Sequence, residues 1–300
     1  MNGFIVIDKP SGFTSFDVVA KLRGILKTRK IGHTGTLDPM ATGALVCMVG
    51  RATKLIQFLP TGDKTYRAKI KFGIATDTLD ITGNITNTSA KKITLQDIEN
   101  ILPQFTGNIT QIPPMFSAIK VDGSRLYDIA RQGIELARKP RKITINSIEI
   151  IAFENQVLTL NVTCSAGTYI RSLADDLGKS LKTFATLQSL RRTSANGVNI
   201  TQATTFEELS QAENPQNFIN NINELLQDYQ KIAITAPQAL RVQNGGHLDL
   251  ARLTCDECDD NALVRLYNNE KFVALGKINL AAEVVKPVCQ IEVKPSENIQ

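Results

Sequence analysis

Histidine occurs in this 300-residue chain only at positions 33 and 247, and cysteine only at 47, 164, 255, 258 and 289. A Ser/His/Asp triad would have to recruit one of those two imidazoles, and no GxSxG elbow is present. Zinc would depend on Cys255, Cys258 and Cys289 with His247, and a lone CxxC reads more simply as thiols of a β-rich module. No GxxxxGK[ST] loop occurs and no GxGxxG opens a helix, so nucleotide cofactors lose their usual cradles. The longest apolar runs, such as residues 44–49, are about six residues against the ~20 that span a bilayer, so no membrane span is expected. The opening MNGFIVIDKP has neither the charged flank nor the apolar stretch of a signal peptide. With an odd set of mostly scattered cysteines, that predicts a cytoplasmic chain without a disulfide framework. Long repeats and low-complexity tracts are missing too, and 42% hydrophobic residues rule out disorder, collagen or coiled coil as the whole answer.

Charge is present but unevenly spread. The net charge is +5, yet residues 1–71 hold twelve Lys or Arg against four Asp, while residues 231–300 hold eight against nine acids. Further basic patches cover residues 120–142 and 171–192, and residues 205–230 carry five acids and no base. Such patchiness suits a polyanion-binding face, although lysines also solvate ordinary surfaces.

The periodicity predicts a strand at residues 5–8 and then a helix capped by Thr14 or Ser15, with Val18, Val19, Leu22, Ile25 and Leu26 on one face. A Gly/Thr-rich loop, residues 32–43, leads into a central strand at 44–49. Strand alternation returns at 65–73, 142–152 and 157–164, with helices at 95–102, 125–132 and 169–181. No regular βαβ repeat links them, so the fold class is α+β: a mixed sheet with flanking helices. Residues 207–230 read as an acidic connector. Beyond them, short strands at 264–267, 272–278 and 288–293 predict a small β-rich module. The expected division is therefore 1–230 with the connector and 231–300.

The loop GHTGTLDPMATG contains one acid, Asp38, among small residues that expose their backbone. Pro39 biases Asp38 toward an extended conformation, and the glycines allow a substrate to approach. An Asp before Pro is also an ordinary turn residue, so the loop alone leaves both readings open.

Its company adds to it. GHTGTLDPMATG stands with IDKPSGFTS at 7–15, KTYRA at 64–68, GIATDTLDITG at 73–83, PPMFSAIKVDGSRLYDIAR at 113–131 and CSAGTYIRSLADDLG at 164–178. These motifs, in this order over residues 3–195, resemble the bacterial tRNA pseudouridine-55 synthase (TruB-type) family. The tail from about residue 231 is similar in size and place to that family's PUA-type RNA-binding domain, matching less sharply.

The resemblance implies a cofactor-free isomerisation without metal, on the T arm and elbow of tRNA: one T-loop uridine is flipped out, its C–N glycosidic bond is broken and the base is rejoined through C5. It implies Asp38 as nucleophile, Arg171 as its partner, Asp80 as a second acid on that arginine, and Tyr66 lying on the flipped base and assisting removal of the C5 proton. It further implies His33 stacked in the vacated space, Tyr169 beside the base, Leu190 as an apolar wall and Lys9 supporting the loop. Read without the family, Tyr66 is equally a core aromatic, Arg171 a helix-surface ion pair, His33 a hydrogen-bonding surface residue and Lys9 a solvated turn lysine. Two other classes fit the same basic front: a non-catalytic RNA-binding or tRNA-folding protein, which gains nothing from Asp38, and a glycosidase using Asp38 and Asp80, which would release free uracil. A monomer is expected, since no sustained apolar heptad pattern is present.

Overall fold

The computed structural model describes residues 1–60, 62–117, 119–121, 124–130, 133–134, 136–255 and 258–291. Its main sheet takes β1 (Gly3–Lys9), β2 (Ile31–His33), β3 (Thr42–Val49) and β4 (Lys64–Phe72). After the hairpin of β5 (Ile74–Thr76) with β6 (Ile85–Thr88) comes β7 (Gly107–Gln111). The hairpin of β8 (Lys120–Val121) with β9 (Ser124–Arg125) precedes β10 (Arg141–Glu154), β11 (Val157–Cys164), β12 (Ala185–Ala195) and β13 (Val198–Asn199). A second sheet holds β14 (Gln230–Ala233), β15 (Leu248–Asp249), β16 (Leu263–Asn268), β17 (Lys271–Asn279) and β18 (Val284–Gln290). The helices are α1 (Ser15–Ile25), α2 (Leu95–Ile101), α3 (Leu126–Ala130), α4 (Ile170–Ser180), α5 (Phe206–Gln211) and α6 (Ala236–Gln243).

The main sheet has nine strands ordered β1-β3-β12-β4-β11-β10-β7, with β2 on β3 and β13 on β12. It is antiparallel except where β12 meets β3, Arg191 facing Thr42 and Arg192 facing Gly43. This is the α+β class expected, with apolar alternation writing the strands: Tyr66, Ala68, Ile70 and Phe72 of β4 and Leu158, Leu160, Val162 and Cys164 of β11 turn to one buried face. α1 begins at Thr14 with a capping box to Asp17 and buries Val18, Val19 and Leu22.

The structure departs from the sequence pattern in several elements, short strands such as β7 and β14 and the helices α5 and α6 among them. β12 was not anticipated: its register slips at Leu187/Ser189 and Arg192/Ser194 break the period of two, and it buries an arginine. The last strand runs Val284–Gln290, earlier than the expected 288–293, whose final residues lie outside those described, as does the end of the helix expected at 125–132. The segment read as a connector packs on the rest of the chain: Asn220 exchanges backbone hydrogen bonds with Phe4 at 3.1 and 2.7 Å, and Ile222, Leu225 and Leu226 are buried. Cys255 and Cys258, whose CxxC spacing sets their Cα atoms 5.9 Å apart, form a disulfide despite the expectation of free thiols.

Three apolar clusters result. One lies between the main sheet, α1 and α4; one inside the second sheet with α6. The third joins Phe4, Val46, Met48 and Leu55 to Leu225, Tyr267, Leu275 and Ile291, so the two sheets share a core. No helix among the described residues is long and apolar enough to cross a membrane.

Candidate active site

Asp38 sits in the loop from β2 to β3, and that loop is fastened from every side. Ser15, in the first turn of α1, accepts from the Leu37 amide at 2.9 Å and donates back to the Leu37 carbonyl at 3.3 Å. The Pro39 carbonyl accepts from the Gly12 amide at 2.8 Å and from Lys9 Nζ at 3.2 Å. Lys9 has no exposed surface and donates to Pro10 and Phe13 carbonyls as well. Arg192 of β12, 1% exposed, donates Nε to the Ala44 carbonyl at 2.8 Å and its terminal nitrogens to the Thr36 and Gly35 carbonyls at 3.4 and 3.1 Å. With no carboxylate among these partners, Arg192 is a buried cation beside the loop.

Arg171 stands in the first turn of α4 and is 4% exposed. It grips Asp38 side-on, Nε to Oδ2 at 2.9 Å and Nη2 to Oδ1 at 3.1 Å. The same guanidinium donates to the Phe116 carbonyl at 2.7 Å and to the Thr78 carbonyl at 3.2 Å. Asp80 Oδ2 lies 3.8 Å from Nη1, an ion pair beyond hydrogen-bond distance, while Thr78 and Thr82 donate to its Oδ1. Leu79, at φ +63°, holds that turn in a left-handed conformation unusual for a branched side chain. Tyr169, the N-cap of α4, is held at both backbone groups by Gln111 of β7, at 2.8 and 3.0 Å.

These segments enclose a cavity of about 210 Å³ lined by Asp38, Tyr66, Tyr169, Arg171 and Leu190, together with Lys64 and Ser117. That volume equals roughly seven waters at ~30 Å³ each, the scale of one nucleobase. A larger cleft of about 550 Å³ near Phe13 and Phe206 holds charges already matched: Arg191 on Asp8 at 2.6 Å and Lys21 over the Phe206 ring at 4.4 Å. Of the eight residues singled out by sequence, five line the small cavity and Asp80 backs Arg171. Lys9 lies behind the loop, and His33, at the end of β2, is outside the lining, its Nδ1 buried without a hydrogen-bond partner among the described residues.

Burial pushes the Asp38 carboxyl above its ordinary range, Arg171 draws it back, and Asp80 adds to the upward push. The Tyr66 phenol is raised by burial and opposed by Arg192, whose guanidinium hydrogen-bonds it. Burial, then Arg192, lower His33 and Lys64, so the imidazole is neutral at pH 7. Burial also lowers Lys9 to about 8. Among the described residues, no cluster of three or more His, Cys, Asp or Glu side chains is placed to hold a metal ion.

Sequence reasoning missed Arg192, Gln111, Lys64 and Ser117. Lys64 was legible inside KTYRA. Arg192 was not, since nothing in RRT tells the fully buried arginine from its half-buried neighbour Arg191.

An α+β sheet that presents one carboxylate, clamped by a buried arginine, to a small cavity has the make-up of an enzyme site able to serve carboxylate chemistry. The family model described as TruB family pseudouridylate synthase (N terminal domain) matches residues 23–170. A tRNA pseudouridine synthase B of Clostridium kluyveri is 42% identical over 92% of this chain and 95% of its own length; one of Azoarcus sp. is 39% identical over 92% and 91%. The crystal structure of a Cbf5-Nop10-Gar1 complex superposes with TM-score 0.73 at 25% identity, covering 97% of this chain and 84% of the other. An H/ACA RNP bound to a substrate RNA containing 2′-deoxyuridine gives 0.74 at 23%, covering 98% and 86%, and shares the fold. The chain belongs to the TruB family of pseudouridylate synthases.

Proposed function

We propose that this enzyme makes pseudouridine in tRNA at uridine 55 of the T loop, with Asp38 as the nucleophile. The observation that carries the reading is the side-on Arg171–Asp38 pair inside a base-sized cavity. Attack on C6, attack on C1′ and elimination to a glycal all require an ionised carboxylate, and Arg171 opposes the desolvation that would protonate it. A uracil reaches Asp38 only when flipped out of the loop. His33, kept neutral, fills the vacated stack, while Tyr66 lies on the base, Tyr169 flanks it and Leu190 walls the far side. Once C1′ bonds to C5, the C5 proton must leave, and the Tyr66 phenolic oxygen is the nearest base by this reading. Asp80 and Lys9 act through Arg171 and the loop.

Residues 1–230 form the catalytic unit in this reading, and residues 231–300 a PUA-type module touching the tRNA elbow. The protein works as a cytoplasmic monomer, and helping tRNA to fold is compatible with the same contacts. Tritium release from a T-arm stem-loop carrying C5-labelled uridine is the test, because only rejoining through C5 ejects that atom. Free uracil with an abasic RNA would establish a glycosidase instead, and binding without either product a folding protein.

A further inference from the structure

Phe16 is out of place by every rule that built α1. The helix buries Ser15, Val18, Val19 and Leu22, and its other face carries Asp17, Lys21 and Arg23, yet Phe16 stands on that face 63% exposed. Among the described residues it is the one aromatic ring among the exposed large apolar side chains. Leaving most of a phenyl ring in water on a strongly basic segment forgoes the burial that the helix's other apolar side chains gain.

Its geometry is nevertheless fixed. The capping box locks the first turn, and the neighbouring Ser15 ties that turn to Leu37, the residue before Asp38. The ring meets His33 edge to face, centroids 5.4 Å apart and planes at 83°. The imidazole covers only part of the ring, which keeps most of its aromatic surface open to solvent.

We propose that Phe16 is a stacking platform for an unpaired nucleobase of the substrate RNA, a neighbour of the flipped uridine. This rests on the proposed action on loop RNA. Three observations favour a base over other occupants. The ring is exposed and held, so stacking loses little side-chain freedom. It adjoins His33, so the platform continues the RNA-contacting surface. The surrounding chain, residues 1–71, is rich in Lys and Arg that attract phosphates. Unpaired loop bases are what proteins read by aromatic stacking.

The test is equilibrium binding and single-turnover conversion of a T-arm stem-loop by the full chain, with 2-aminopurine at loop positions to report stacking. Phe16→Ser should weaken binding by roughly five- to 150-fold and leave the thermal midpoint in place. Phe16→Tyr and Phe16→Trp should bind within about threefold of the parent, whereas Phe16→Leu should stay weak, since a π face rather than apolar bulk is required. The Ser effect should persist in a His33→Ala background. Unchanged binding by Phe16→Ser, rescue by Leu equal to Trp, or disappearance of the effect without His33 would overturn the proposal, the last showing that Phe16 merely props the imidazole. A parent that neither binds nor converts the stem-loop fails the reading of function instead.

Discussion

Asp38 is held between two opposed effects, and the balance between them is measurable. Arg171→Lys keeps the charge but loses the planar fork that also reaches Phe116 and Thr78. Losing such buried geometry costs ~2–5 kcal/mol, about 30- to several thousand-fold in single-turnover rate, against under ~1 kcal/mol for an exposed pair. Asp38→Asn should abolish product while tRNA affinity stays within about tenfold, since phosphate contacts are untouched. Either a rate within about threefold for Arg171→Lys or pseudouridine from Asp38→Asn would remove Asp38 from the chemistry. An acid whose folded pKa is raised holds its proton more tightly folded than unfolded, so its charge weakens the fold as pH climbs through that pKa. The stability of Asp38→Asn relative to the parent should therefore improve on going from about pH 4 toward neutrality, as followed by urea unfolding. The rate itself should be bell-shaped: an acid limb above the ordinary carboxylate range from Asp38, and an alkaline limb near 8 as Lys9 deprotonates and keeps too few N–H groups for its three carbonyls. A rate still rising well beyond pH 9 or so would take Lys9 out of loop support.

Two glycines separate strain from slack at the scale of elements. Gly43, at φ +104°, is the second residue of β3, the strand that runs beside β12, and a Cβ there would lie 2.2 Å from the Arg192 carbonyl oxygen. Gly43→Ala should cost at least ~2 kcal/mol in urea unfolding and displace the Asp38 loop, with turnover falling in step. Gly24, near the end of α1 with nothing within 4 Å of a new Cβ, should gain up to ~1 kcal/mol as alanine without touching activity. Equal effects would mean that the β3–β12 contact is not a constraint. The same pair of strands shows what the sequence could say. β3 is a continuous apolar run and β11 a clean alternation, so both were legible. β12 carries two register slips and a buried guanidinium whose partners are carbonyls distant in sequence, and no local pattern encodes partners that only the fold brings near. Asp38, Tyr66, Tyr169, Arg171 and Leu190 were recognised through motif order rather than periodicity. Arg192 and Gln111 act on backbone atoms, so no complementary residue type marks them.

The shared apolar cluster sets the behaviour of the whole molecule. Tyr267, Leu275 and Ile291 pack with Phe4 and Met48, so heating should give one transition in both sheets. A chain ending at residue 230 should keep the cavity and some isomerisation, but unfold at a lower temperature and associate through the uncovered cluster, as thermal melts and light scattering would reveal. Two separate transitions in the full chain would show that the cluster does not couple the sheets. The strand order has its own consequence for how the polypeptide is made. β12 lies between β3 and β4, strands that leave the ribosome more than a hundred residues earlier. Until it arrives, a nascent chain holds two half-sheets with open edges, an Asp38 loop without the Arg192 donors for its Gly35 and Thr36 carbonyls, and a gap where the centre belongs. The keystone of the main sheet thus arrives after both halves it joins, and the interval before it is when such a chain most needs a chaperone's cover.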